Sequence, residues 1–399
     1  MIWDVSCSKR QRPKVNIAFV SHSAFHPAMV VGSHQLARVW AKLGHRVIHV
    51  SLPLTPFHLS RIGRPHMKQR FDSAWGGATE REPNLIEWVP LAAVPWDVAK
   101  YLSAPLGHNF SVPLAKRIRA VLSRFGFSSI DVALIDEPRM VGVEPVLQAR
   151  KTVYRATDLY AQYRGDPSIL DAERKILASA DGIFATSDPV ARHLRDLSGG
   201  REVDVFRNGF DADHFRERRD EDPSLAGIDG PRAVYVGAID HRLDLDGVVG
   251  MALRRPDLNV LMYGPTTISL PADSPSNLRW MGPITYDRLP AVLQHCDVAM
   301  LPLVDNEENH GRSPMKYFEY RSSNIPIAAF AAESLAPLSS SDSLFLYQQA
   351  GASGLGEAVD AALAFRRDPQ GFSTTNLDDD MSWQQIASRM LTRIESLHL

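Results

Sequence analysis

Along this chain, short apolar runs rich in Val, Ile, Leu and Phe alternate with longer stretches whose apolar positions recur every three or four residues. The runs have the pattern of strands buried on both faces, and the longer stretches that of helices covering a sheet. In the first half, strands are predicted over 15–21, 46–52, 130–136, 152–156 and 203–207. Leu36, Val39, Trp40 and Leu43 share one face of a predicted helix over 32–45, and Leu114, Ile118, Val121 and Leu122 one over 113–125.

The series stops at 216–231, RERRDEDPSLAGIDGP, whose charges and turn residues read as a solvated linker. It then restarts with strands over 233–239, 259–263, 277–281, 298–303 and 325–330, and helices over 243–254, 286–295 and 313–322. Alternation of this kind predicts an α/β protein with two Rossmann-like, doubly wound domains, over 15–215 and 232–370. Open α/β sheets bind ligands beyond the carboxyl ends of their strands, so two such domains predict an interdomain cleft. Residues 1–14, polar and basic, read as a flexible N-terminus, and the Ser-rich 339–343 as a loop. In the final segment, 371–399, Trp383, Ile386, Met390 and Leu391 lie along one stripe of a helix.

Composition adds limits rather than a function. A chain of 399 residues exceeds one hydrophobic core, and 44% apolar with 23% charged residues is an ordinary globular balance. A net charge of −2 offers no global attraction to nucleic acid, and neither half carries a basic recognition helix or metal-finger spacing. Cys7 and Cys296 support neither a disulfide framework nor a cysteine metal site, which suits a reducing cytoplasm. The N-terminal stretch has no apolar core of a secretory signal, and no run is long enough to span a bilayer.

Four blocks carry candidate chemistry. In FRNGFDADHF, Asn208-Gly209 suits a turn and Asp211 a helix cap. Asp211-Ala-Asp213 imitates a metal motif but reads as structural there. In AVYVGAIDHRLDLDGV, Gly237 after a strand lets backbone approach a phosphate, the next helix can present its positive end, and Arg242 can add a guanidinium. The third block runs from NLRWMG to SPMKYFEY and the buried strand beyond. Lys316 and Glu319, three positions apart, can address one ligand from one helix face, ammonium toward phosphate and carboxylate toward hydroxyls, or else form an intrahelical pair on a wet face. The fourth, DMSWQQIASRMLTRI, is the terminal amphipathic helix.

Together these blocks resemble bacterial glycosyltransferases of the GT-B fold. The resemblance implies a nucleotide-sugar site built from Gly237, Ile239, Arg242, Tyr263, Gly264, Ser313, Met315, Lys316 and Glu319, an acceptor domain over 15–215, and a terminal helix that crosses back to brace it. Many retaining relatives carry two glutamates eight positions apart in the third block. Here Glu319 is preceded at that distance by Gly311, so the pairing is absent. VYRATD, with SPMK, is similar to the inverting glucuronosyltransferases that extend the lipid-linked xanthan precursor. That likeness implies Asp158 as the base, UDP-glucuronate as a candidate donor and a lipid-linked glycan as acceptor.

On residue chemistry alone Asp158 can equally cap the following helix or pair with Arg155. His22 and His26, after the first strand, are reserve bases. No metal or other cofactor is required by this reading, since a lysine, helix N-termini and backbone amides can offset the leaving diphosphate. Arg61, Arg64, Lys68 and Arg70, interleaved with apolar residues in FHLSRIGRPHMKQR, form a candidate surface for an anionic membrane or acceptor, although Pro65 opposes one continuous helix. A nucleotide-sugar epimerase and a non-catalytic sugar-binding protein remain the alternatives.

Overall fold

The computed structural model describes residues 14–25, 30–63, 65–102, 112–339, 343–367 and 379–397. Residues 1–13 and His26 lie outside them, as does Arg64. Among the described residues the first sheet holds β1 (Asn16–Ser21), β2 (Arg46–Ser51), β3 (Thr79–Glu82), β4 (Leu85–Trp88), β5 (Val132–Ile135), β6 (Lys151–Ala156), β7 (Gly182–Ala185) and β8 (Asp204–Val205). Its spatial order is β3-β4-β2-β1-β5-β6-β7-β8, parallel except for β3 on the edge. The second sheet is wholly parallel, in the order β11-β10-β9-β12-β13-β14. Its strands are β9 (Arg232–Val236), β10 (Asn259–Tyr263), β11 (Leu278–Gly282), β12 (Val298–Leu301), β13 (Ile327–Phe330) and β14 (Leu344–Tyr347).

The continuous apolar runs became these central strands because helices cover both of their faces. Ala18 and Val20 of β1 enter one core cluster while Ile17 and Phe19 enter another. Helix Gly32–Lys42 then returns the chain to β2, and Gly44, at φ 89°, makes the left-handed turn after it. The order in which successive strands join the sheet reverses between β1 and β5 in the first sheet and between β9 and β12 in the second. Those switch points leave a crevice outside the carboxyl ends of the strands.

Two predicted segments differ in kind as well as in their ends. The helix predicted over 286–295 divides into a short 3-10 turn at Tyr286–Arg288 and helix Leu289–Leu293. The stretch 216–231 is solvated only in part. Leu225 and Ile228 are buried in the second core, and Asp222 takes a two-pronged hydrogen bond from Arg288 at 2.7 and 2.9 Å, so the linker is fastened to the second domain.

The terminal helix, Trp383–Ser396, crosses back as the resemblance implies. Trp383, Ile386, Ala387, Met390, Leu391 and Ile394 pack with Ile17, Phe19, Leu36 and Trp40 of the first domain, and Trp40 Nε1 donates to the Ala387 carbonyl at 3.1 Å. Burial of each large side chain contributes about 1.5–3 kcal/mol. Further contacts join the domains. Ser187 Oγ donates to the Gly311 carbonyl at 2.5 Å, Asn208 Nδ2 to the Ser313 carbonyl at 2.8 Å, and Gln35 Nε2 to the Tyr286 hydroxyl at 2.9 Å. These contacts hold the two switch points facing one another.

Candidate active site

On the second domain the site begins where β9 ends. Gly237 N donates to the Tyr263 carbonyl at 2.8 Å, tying the ends of β9 and β10 together. A Cβ on Gly237 would lie 1.9 Å from Lys316 Cε and 2.6 Å from Nζ. Gly264, at φ 146°, would place a Cβ 1.8 Å from the Gly237 carbonyl oxygen. Gly264 therefore admits only glycine, and at Gly237 a methyl would displace the end of the Lys316 side chain and crowd the Tyr235 hydroxyl.

Lys316 and Glu319 lie on helix Met315–Ser322, and neither is on a wet face: Lys316 is half-buried and Glu319 buried. Burial lowers the Lys316 ammonium to about 8, with Arg312 and Arg242 pushing the same way and Glu319 opposing. Burial raises the Glu319 carboxyl to about 7, against the attraction of Lys316. Both therefore change charge close to neutrality. Arg242 forms a fork with Asp240 and stands 3.7 Å from Glu308; burial opposes its charge, but those carboxylates hold it above the ordinary arginine value.

The helix after this loop does not offer a free N-terminus. Asp244 caps helix Leu245–Arg254, accepting from Gly247 N at 2.9 Å and from Gly351 N at 2.6 Å. A carboxylate already occupies the end that sequence reasoning assigned to phosphate. The cations near the Gly237 loop are side chains: Lys316 lies against Gly237, with Arg242 and Arg312 close enough to act on it.

On the first domain, Asp158 follows β6. It does not cap helix Tyr160–Arg164, whose N-cap, Leu159, makes no side-chain bond, and Arg155 is committed to Asp136 at 2.9 Å in the buried core. Instead Arg312 reaches across from the second domain, Nε lying 3.3 Å from Asp158 Oδ1, with 16% of the Asp158 side chain exposed. Thr157 Oγ1 donates to Asp158 Oδ2 at 3.3 Å. Arg312 also approaches Glu308 at 3.3 Å and stands over the Tyr163 ring.

His22 sits beside this group after β1. Its Nδ1 is buried without a hydrogen-bond partner, and burial lowers its pKa although Glu137 and Asp158 favour the charged form. Glu137, forked to Arg139 at 2.7 and 2.8 Å, and Arg164 complete the surroundings. The sequence alone did not mark Asp240, Glu308, Arg312, Glu137 and Arg139 as site residues; Arg312 stands inside the third block, next to Ser313, but no motif there distinguishes it from an exposed arginine.

Other predicted residues go elsewhere. Ile239, in the loop after β9, and Tyr263, at the end of β10, have their side chains buried at 1% and 2% exposure in two separate core clusters of the second domain. Ser313 receives Asn208 N on its hydroxyl at 3.2 Å, and Met315 packs against the first-domain core, so both act at the domain junction. Asp211 caps helix Ala212–Arg216 through His214 N at 3.2 Å. Lys68 is exposed, but Arg70 turns inward and donates to the Leu52 carbonyl at 2.8 Å, which removes it from the basic surface. The Arg61 side chain lies outside the described residues. Phe57 and Trp75 nearby are 63% and 88% exposed, with Leu59 and Ile62 also exposed. A separate cavity of about 400 Å³ runs along helix Gly32–Lys42, between Arg38, Arg81, Tyr286 and Trp383, and contains none of the predicted site residues.

Two doubly wound domains with facing switch points, joined by a helix returned from the second to the first, define the GT-B class of fold. Solved structures of that class match almost the whole chain. A glycosyltransferase of Rickettsia africae matches with a TM-score of 0.62 at 12% identity, covering 96% of this chain and 98% of its own. The Anabaena protein HepE, in complex with UDP and glucose, matches at 0.65 and 14% identity, covering 96% and 100%. An E. coli trehalose-6-phosphate protein bound with UDP-2-fluoro glucose matches at 0.66 and 9% identity, covering 96% and 99%. In sequence the chain is similar to TuaH of Bacillus subtilis, named as a teichuronic acid biosynthesis glycosyltransferase. The two are 27% identical over 168 residues, which cover 40% of this chain and 42% of that protein, less than half its length. No protein-family profile matches the chain.

Proposed function

We propose that this protein is a glycosyltransferase of polysaccharide biosynthesis that takes its sugar from a UDP-sugar. The observation that carries the reading is the meeting of Asp158, at the end of a first-domain strand, with Arg312, Arg242, Lys316 and Glu319 of the second domain in one cleft. The names of TuaH and the ligands of HepE point to the same chemistry.

In the proposed reaction Lys316 and Arg242 meet the diphosphate, Gly237 lets it approach backbone, and Glu319 accepts hydrogen bonds from ribose hydroxyls. As the glycosidic bond to the diphosphate breaks, the leaving oxygen gains negative charge, and cations already in place lower the barrier. Asp158 takes the proton of the acceptor hydroxyl as that oxygen attacks the anomeric carbon from the opposite face, which inverts configuration. His22, whose burial keeps it neutral, is the reserve acceptor of that proton. The leaving group's charge is offset by side chains, so transfer is expected to continue in EDTA.

The acceptor is proposed to be a lipid-linked glycan, and UDP-glucuronate the leading donor. The exposed apolar residues Phe57, Leu59, Ile62 and Trp75, with Lys68 beside them, suit docking at the cytoplasmic face of a membrane. No described helix is long and apolar enough to cross one. Proton NMR of the product anomeric signal tests the mechanism: inversion supports it, and a retained configuration rejects Asp158 as base.

A further inference from the structure

Arg312 presents a conflict that the proposed reaction must resolve. A base must have a free carboxylate oxygen directed at the acceptor, yet Arg312 Nε stands 3.3 Å from Asp158 Oδ1. The same guanidinium is 34% exposed, reaches Glu308 at 3.3 Å and lies over the Tyr163 ring. It is also one of the charges that lower the Lys316 pKa, which places it within the field of the three-cation cluster. Arg312 thus stands between the acceptor-side carboxylate and the place assigned to the diphosphate.

The three cations repel one another, and the carboxylates around them offset that only in part: Asp158 and Glu308 lie against Arg312, Asp240 holds Arg242, and Glu319 faces Lys316. A diphosphate offers more charge and a geometry that a guanidinium engages with two parallel bonds. It therefore competes with Asp158 for Arg312.

We infer that Arg312 is a gate on Asp158: it holds the carboxylate while the donor site is empty and is drawn to the diphosphate when a donor binds. This inference rests on reading Asp158 as the base. Its consequence is order, since the base becomes available only when the leaving group is seated. Arg312 is a positioning residue for Asp158, and coupling between the two sites follows from one cation having two exclusive partners. The attachment of Arg312 also supports the move. It follows helix Glu307–Gly311, whose last residue, Gly311, is held by Ser187 of the first domain, so the side chain can swing while its backbone stays anchored at the domain junction.

The test is a double-mutant cycle on UDP affinity, measured by calorimetry with wild type, Asp158→Asn, Arg312→Met and the double variant. Removing the competing carboxylate frees Arg312, so Asp158→Asn is expected to bind UDP about fivefold tighter, and Arg312→Met about tenfold weaker, within the usual range of coupling between sites. In the Arg312→Met background, Asp158→Asn is expected to change affinity by less than about twofold. If Asp158→Asn leaves UDP affinity unchanged or weakens it, or tightens it equally in both backgrounds, the gate is overturned; the last result would show only the removal of a negative charge. Failure of the base assignment is seen separately, as full turnover by Asp158→Asn.

Discussion

Raising the pH should loosen donor binding through one lysine. Burial beside Arg312 and Arg242 lowers the Lys316 ammonium to about 8. The lysine is charged below that value and neutral above it, so attraction to a diphosphate is present at pH 7 and lost as the pH rises. With a pKa of about 8, about nine in ten Lys316 side chains carry the proton at pH 7 and about one in ten at pH 9. The terminal phosphate of UDP is already ionised throughout that window, its second pKa being about 6. UDP affinity should therefore fall about tenfold between pH 7 and pH 9, approaching the worth of one charge-assisted bond, about 1.5–3 kcal/mol. Calorimetry in buffers of different ionisation enthalpy checks both parts, because binding at pH 9 must take up a proton. Lys316→Met should bind weakly and with a flat profile from pH 7 to pH 9. A wild-type affinity that stays constant over this range, or a Lys316→Met profile with the same slope, would refute the placement of Lys316 on the phosphate.

Glu319, raised by burial to about 7, accepts ribose hydroxyls most strongly when ionised, so affinity should also decline below pH 7; Glu319→Gln should shift the onset of that decline down toward the phosphate value of about 6 in the same titration. Gly237→Ala should weaken UDP binding far more than it lowers thermal melting, because the added methyl chiefly displaces the flexible end of Lys316 and also crowds the Tyr235 hydroxyl; unchanged affinity would show that the glycine does not serve the ligand. Trp383→Ala should cost about 3–5 kcal/mol, read by chemical denaturation, since the ring is buried in the first-domain core. Flotation with vesicles of anionic lipid should fall when Phe57 and Trp75 are both replaced by Ser, and equal binding would remove the membrane surface.

What was legible in the sequence follows from length and burial. β1, β2, β5, β6 and the central strands of the second sheet showed as apolar runs because helices cover both faces. The strand β3, TERE, carries no apolar residue and lies on the sheet edge, while β7, GIFA, opens on a glycine and holds no Val or Leu, so neither stands out. β4 conceals a buried charge, Glu87, ion-paired with Arg81, within an otherwise apolar run. At the site, Lys316 and Glu319 could be placed together because one helix carries them, and Gly237 because a strand ends there. The Asp158–Arg312 pair could not be read, because its partners belong to different domains and meet only through tertiary packing. Capping of helix Leu245–Arg254 by Asp244 shows the opposite case: the residue was in plain view, yet its carboxylate closes the site sequence reasoning had given to phosphate.

The central claim, sugar transfer from a UDP-sugar in this cleft, is tested most directly by UDP release. Purified protein would be incubated with UDP-glucuronate, UDP-glucose, UDP-galactose or UDP-N-acetylglucosamine, each with a bacterial glycolipid extract as acceptor, and free UDP measured against a protein-free blank. The account predicts release from at least one donor, reduced about 100-fold or more in Asp158→Asn, the scale of a lost general base. No release above blank from any donor, or release that Asp158→Asn and Lys316→Met both leave intact, would contradict it.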